Sequence, residues 1–519
     1  MNTPLPGPKA TRREWVGLAV IALPCMVYAM DLTVLSLALP ALAAALAPSA
    51  SQLLWIVDIY GFFVAAFLIP MGTLGDRIGR RRLLLVGAAC FIAASIVAAF
   101  SASAGMLIGA RALLGVAGAT LAPSTLSLIR NMFHDERERQ FAIGVWIASF
   151  SLGSAIGPLA GGVLLQYFGW GSVFLPAVPV MLLLLALGPA LLPEYRDPSA
   201  GRIDAPSVAM SLAAVLSLVF GLKQVVEHGV RAAPLTMMLA GVAIGAAFVR
   251  RQGRIDHPLL DLALLRRPRF AAAFSTYALA CLAMFGMYFH ISQYLQGVLG
   301  LSPLHAGVAT LPWALSFVVG SLLTPAVLRR VPPDTLLVGG MLFAAFGFLM
   351  TAGASGRQSL PLWVAATTLI SLGLALVFTI VNEMIITAAP AARAGAASAL
   401  AETGSELGGA LGIALLGSLG TDVYRSALTG ALPIDSAAPL APDALATLGG
   451  TLAAAHALPG GSGEALAAAA RGAFVDALQR VAWVGAAVLL LAGGVAGRLL
   501  RRSAKSEDES ARQTAIPDR

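Results

Sequence analysis

The chain has 519 residues, 58% of them hydrophobic and 12% charged, with a formal net charge of +8 and a mean hydropathy of +0.83. Soluble domains carry about a quarter charged residues, so this composition excludes a water-soluble globular fold and leaves a polytopic membrane protein. The positive balance then reports membrane orientation, not nucleic-acid binding.

Fourteen apolar runs can be drawn, each near the ~20 residues that a helix needs to cross a ~30 Å hydrocarbon layer. The first, residues 15–40, follows Lys9, Arg12 and Arg13 as a signal peptide would. Its apolar stretch is much longer than the roughly 7–15 residues of a cleaved signal, so it reads as a span. Inside it, MDLTVLSLALP places Asp31 in sequence otherwise fit for lipid. The second run, 52–71, holds Asp58 and ends in GTLGDRIGRRR, Gly72 to Arg82. Gly72, Gly75 and Gly79 permit a tight turn with close backbones, and Asp76 can cap a helix end or bridge to Arg77, Arg80 or a neighbouring helix. The third run is 83–101, and the fourth, 105–129, carries Arg111 and Gly115 in LIGARALLGVAGA. The fifth, 141–165, contains GSAIGPLAGG, with Gly153, Gly157, Pro158, Gly161 and Gly162. Its glycines thin one helix face and Pro158 removes a backbone donor, giving a kinked, closely packed surface.

Runs six to eight are 171–192, 206–226 and a short 235–249. The ninth, 270–296, follows HPLLDLALLRRPRF and holds His290 near its end, where an interfacial side chain is expected. The tenth, 305–328, has no acidic residue, and the eleventh is 334–352. Glu383 falls close to the end of the twelfth, 361–387, within reach of the headgroups. In the thirteenth, 396–420, Glu402 and Glu406 stand four apart and so share a helix face. Residues 421–473, rich in Ala, Gly and Pro, read as a disordered or loosely structured outside loop, 474–500 as the last span, and 503–519 as a disordered tail.

Cytoplasmic termini put 27 of the 34 Lys and Arg inside, leaving Lys223, Arg231, Arg357, Arg425, Arg471 and Arg480 outside and Arg111 within the membrane. So lopsided a division sets the topology. In it Asp31 lies nine residues from Pro40, Asp58 six from Gln52 and Arg111 six from Gly105. At ~1.5 Å per residue all three sit roughly 9–14 Å below the outer helix ends, so Arg111 can pair with either acid. A lone charge at that depth costs ~2.5–3.5 kcal/mol on insertion scales, so such residues face a partner or a transport path. Burial raises a carboxyl pKa and a nearby arginine lowers it, a balance suited to proton exchange.

The ordered G-x-x-G-D-R-x-G-R-R-R loop resembles that of the major facilitator superfamily. Together with MDLTVLSLALP, LIGARALLGVAGA, GSAIGPLAGG and HPLLDLALLRRPRF, the chain is similar over nearly its whole length to the fourteen-helix drug:proton antiporters. That resemblance implies an all-α membrane fold: a six-helix bundle over residues 1–200, an inserted helix pair over 201–255 and a second six-helix bundle over 256–502. It implies that Asp31 serves proton coupling and cation binding and that Arg111 tunes the proton transfer. Glu402 and Glu406 would bind the cation, with Asp58 and Glu383 as possible secondary acids. The expected activity is export of lipophilic cations by a monomer in a bacterial plasma membrane, driven by the proton gradient with no cofactor or metal. The acid-free tenth run puts divalent cations in doubt. Export of an endogenous metabolite, peptide or siderophore on the same fold is the alternative. A channel stands against the antiporter-like fifth run, and an intramembrane enzyme against the scarcity of His and of metal-ligand spacing.

Overall fold

In the computed structural model the described residues are 9–196, 204–228, 231–255, 267–388, 394–431, 445–458 and 461–514. They are helical throughout, with no strand among them. Lipid offers backbone groups no partner, so each apolar run closes its hydrogen bonds within a helix.

The first half is built from α1 (Arg12–Leu46), α2 (Ala50–Ile78), α3 (Arg80–Ala99), α4 (Ala104–Gly118), α5 (Leu121–Met132), α6 (Glu136–Tyr167) and α7 (Ala177–Leu191). The fourth apolar run is thus two helices in one span, α4 and α5, separated at Ala119 and Thr120. Starts are fixed locally: Thr11 with Glu14 and Ser49 with Gln52 form reciprocal capping boxes. Next come α8 (Ala205–His228) and α9 (Ala232–Gln252). The second half holds α10 (Pro268–Gln293), α11 (Pro303–Leu328), α12 (Pro333–Arg357), α13 (Leu360–Ala388), α14 (Ala394–Ala431), α15 (Leu448–Ala457) and α16 (Gly461–Thr514). Among the described residues 13 stretches are long and apolar enough to cross a membrane, and α8 adds a shorter apolar stretch, Ala205–Gly221. The eighth run, read as short, is a full 21-residue helix.

Two expectations fail. The presumed outside loop 421–473 is largely helix: α14 runs on to Ala431, α15 lies within it, and α16 begins at Gly461. The tail from 503 continues α16 as far as Thr514. Alanine is the strongest helix former and Lys, Glu, Arg and Gln are close behind, so segments that look like linkers by hydropathy keep a helical backbone.

Two apolar cores form, one in each half. The halves meet along two seams, α6 against α11 and α2 against α14, and α8 lies over the second seam. There Val219 packs with Phe62, Ala410 and Ala414. The pair α8–α9 is close because Gly241 sits against the α8 backbone; a Cβ there would come within 2.9 Å of Ala214 O. At their basic ends Arg251 bonds Asp204 at 2.8 Å, and that hydrogen bond holds the Asp204 carboxyl below its ordinary pKa. Outward apolar side chains such as Leu315, Leu322 and Leu491 remain exposed, as lipid contact requires.

The contacts joining the halves lie at or beyond mid-helix, away from the basic loops. Ser292 donates to Ser36 O, and Gln296 donates to Leu37 O at 2.8 Å. Short α15 caps this end, with Gly449 so near Pro40 that a Cβ would lie 2.9 Å from its carbonyl oxygen. The end opposite the basic loops is therefore closed.

Candidate functional site

At the centre of the first half Arg111 is 2% exposed and Asp31 6%. Arg111 Nη1 donates to Asp31 Oδ2 at 2.6 Å, Nε donates to Ile56 O at 3.2 Å, and the guanidinium carbon lies 4.5 Å from the Tyr60 ring centroid. The charge is thus matched by a carboxylate, a carbonyl and an aromatic face. Of the two acids that depth allowed, Asp31 is the one bonded to Arg111.

A cavity of about 60 Å³ lies beside this pair, lined by Asp58, Tyr60, Arg111, Tyr288, Glu406 and apolar neighbours including Phe285 and Phe289. Asp31 is not in that lining. Its carboxylate, expected to serve proton coupling and cation binding, is bonded to Arg111, which does line the cavity. Asp58 is 1% exposed. Glu406 Oε1 accepts from the Tyr28 hydroxyl at 3.2 Å, a bond from α1 to α14 across the two halves. Pockets that bury drug-sized guests run to roughly 300–1,000 Å³, so this cavity is too small for such a guest as it stands. Glu402 lies on α14 with its side chain outside the described residues. Glu383 is exposed near the end of α13 and is not among the residues that line the cavity.

The loop between α2 and α3 turns at Gly79, whose φ of +114° favours glycine and where a Cβ would lie 2.7 Å from Glu194 Cδ. Asp76 takes the Arg80 option among its three: Arg80 Nε donates to Asp76 Oδ1 at 2.8 Å, and Nη1 donates to Pro123 O at 3.3 Å. The Arg81 amide donates to Glu194 Oε1 at 3.2 Å and its Nη1 to Leu192 O at 2.9 Å, while Arg77 is exposed. This loop binds α2, α3, α5 and the end of α7 into one unit. Gly75 sits beside Arg80, and Gly72 near Pro123.

The fifth-run glycines face two ways. A Cβ on Gly153 would strike the Met26 carbonyl, one on Gly157 Thr33 and one on Gly161 Val34, all on α1. One on Gly162 would lie 2.8 Å from Pro303 O, and Pro158 O sits 2.6 Å from where Gly307 would carry a Cβ. So α6 packs tightly on α1 with one face and on α11 of the other half with the other.

Sequence reasoning missed Tyr28, Tyr60 and Glu194. Tyr28 precedes Asp31 by three residues, but an aromatic residue at that spacing is ordinary in an apolar helix, so the sequence marks neither tyrosine. His290, expected at the interface, is buried at 2% exposure with Nδ1 2.9 Å from Gly286 O, because α14 and α16 close over it through Gly420 and Phe474.

Two bundles around a central charged cavity are the architecture that alternating-access carriers use. The chain belongs to the Major Facilitator Superfamily, whose profile matches residues 21–413, and within it to the drug:proton antiporter group of its efflux-pump relatives. The multidrug efflux pump LfrA of Mycolicibacterium smegmatis is 44% identical over 97% of this chain and 100% of its own length. The methyl viologen resistance protein SmvA of Salmonella typhimurium is 35% identical, over 93% of this chain and 98% of its own. Among solved structures, a bacterial homologue of the lysosomal transporter Spinster, inward-facing and unoccupied, aligns with a TM-score of 0.66 at 17% identity, covering 94% of this chain and 99% of that one. That last likeness concerns the fold alone.

Proposed function

We propose that this protein is a proton-coupled antiporter of the bacterial inner membrane, its termini cytoplasmic, exporting lipophilic and mostly monovalent cations such as quaternary ammonium compounds and dyes. The observation that carries the reading is the charge of the cavity wall. Arg111 pairs with buried Asp31, and Asp58 and Glu406 line the same cavity among mainly apolar and aromatic side chains. Such a site selects for positive charge and apolar surface more than for shape. Support also comes from relatives whose names speak of multidrug efflux and methyl viologen resistance.

Proton exchange follows from the same charges. A desolvated carboxylate is stabilised by a bound cation and favours its protonated form once the cation leaves. Loading from the cytoplasm displaces protons, and release outside, after the bundles rock, lets protons return. The energy source is the proton gradient, and no cofactor takes part.

A second reading is export of an endogenous aromatic metabolite, favoured by a 32% identical tetracenomycin C resistance and export protein of Streptomyces glaucescens. Dye efflux from energised cells separates the readings. Cells expressing the chain should extrude ethidium and resist cationic biocides, and Asp31→Asn should abolish this at unchanged expression, because Arg111 then stands unneutralised on the wall. Wild-type efflux by that variant would refute the assignment of Asp31.

A further inference from the structure

The two acids of the site lie in different halves, yet a continuous set of contacts joins them. From Asp31 the set runs through Arg111 to the ring of Tyr60, then to the ring of Tyr28 at 6.1 Å, and by the Tyr28 hydroxyl to Glu406. Tyr60 is fully buried and within electrostatic reach of Asp31, Arg111 and Glu406 together. The rings are held in place by α4: a Cβ at Gly118 would lie 2.9 Å from the Tyr60 hydroxyl and 3.1 Å from Tyr28 Cε2. Tyr28 and Asp31, three residues apart on α1, share one face.

Resting on the antiport reading above, we propose that Tyr28 and Tyr60 are positioning residues that make cation binding at Glu406 and proton binding at Asp31 mutually exclusive. The Tyr28 hydroxyl holds Glu406 toward the cavity and away from Arg111, while the Tyr60 face holds the guanidinium beside Asp31. A proton on Asp31 removes the counter-charge of Arg111, whose positive charge then stands on the cavity wall against an arriving cation and draws on Glu406. A cation at Glu406 acts in the opposite sense, pressing Arg111 back toward a charged Asp31 and expelling the proton. The coupling is reciprocal: each ligand weakens the other by the same factor. Among the described residues, the titratable and charged groups facing the two acids from neighbouring elements are Tyr28 from α1, which bonds Glu406, Tyr60 and Asp58 from α2, Arg111 from α4 and Tyr288 from α10. Without the Tyr28 hydroxyl, Glu406 loses the bond that ties it to α1, and the competition weakens.

The test is proton release on ethidium binding to the purified full-length protein in weakly buffered detergent, alongside ethidium affinity from pH 5.5 to 8.5. Wild type should release protons and bind more tightly as pH rises. Tyr28→Phe keeps the ring and should release at most half as many protons per ethidium, with a pH dependence of affinity flattened severalfold. Tyr60→Leu, which removes the aromatic face, should act in the same direction and makes the same test if Tyr28→Phe does not fold. Wild-type release and pH dependence in the folded variant would overturn the coupling and leave the antiport reading standing. Wild type that binds ethidium without releasing protons would overturn both.

Discussion

Arg111 and Asp31 form the most buried ion pair among the described residues, and such pairs have a diagnostic asymmetry. Removing one partner strands the other charge in a low-dielectric interior and costs about 3–5 kcal/mol, whereas replacing both with neutral groups is far milder. Arg111→Gln should therefore lower the melting temperature of the purified protein more than Asp31→Asn combined with Arg111→Gln, although neither transports. A double variant less stable than Arg111→Gln would show that the pair is not the unit it looks to be. Glu406 behaves differently, since it faces the cavity. Glu406→Gln should reduce efflux of cationic substrates roughly tenfold while sparing neutral ones, and equal losses for both would assign it to packing. The acids and Arg111 were legible in the sequence because a charge inside an apolar run is rare and costly. Tyr28 and Tyr60 were not, since an aromatic residue is at home in any apolar helix and only its hydrogen bond or its stacked cation distinguishes it. That Asp31 bonds Arg111 and is not in the cavity lining was equally hidden, because depth along a helix does not give direction around it.

At the scale of elements, the glycines of α6 do work that no side chain can replace. Gly157→Leu would drive a branched side chain into Thr33, and overpacking of this kind costs about 1–3 kcal/mol or displaces the helix. Transport by Gly157→Leu should fall at least tenfold at unchanged membrane insertion, measured by efflux together with quantified expression; undiminished efflux would mean that the close packing of α6 on α1 is not needed for transport. The pair at the basic ends of α8 and α9 has its own pH signature. The folded-state pKa of Asp204 is depressed by its hydrogen bond from Arg251, so its contribution is present above the unfolded carboxylate value of ~3.9 and lost as pH falls through the folded value. Asp204→Asn should thus change stability by the same amount at pH 6 as at pH 8. Most spanning helices were legible from hydropathy because their lengths match the hydrocarbon layer. The helices α15, the start of α16 and the extension beyond 503 were missed because hydropathy measures lipid compatibility, and alanine-rich or charged segments form helices without it.

For the whole molecule, the closed end opposite the basic loops is one of the two states that alternating access requires. It is held by Ser292 on Ser36, Gln296 on Leu37 and the cap of α15 over Pro40. A short cross-linker between cysteines placed at Leu37 and Gln296 should trap this state and stop efflux reversibly, whereas full efflux by the cross-linked protein would mean that this end never opens. The superfamily was legible from ordered motifs along the chain, but the cavity is made where α1, α2, α4, α10 and α14 converge, and no linear pattern records that convergence. The central claim is that buried carboxylates exchange protons for cations. Its most direct measurement uses acid-loaded proteoliposomes, following ethidium accumulation and lumenal pH together. The expected result is accumulation with matching alkalinisation, abolished by nigericin and absent from Asp31→Asn. Accumulation that persists after the gradient is collapsed, or that Asp31→Asn supports as well as wild type, would contradict the account.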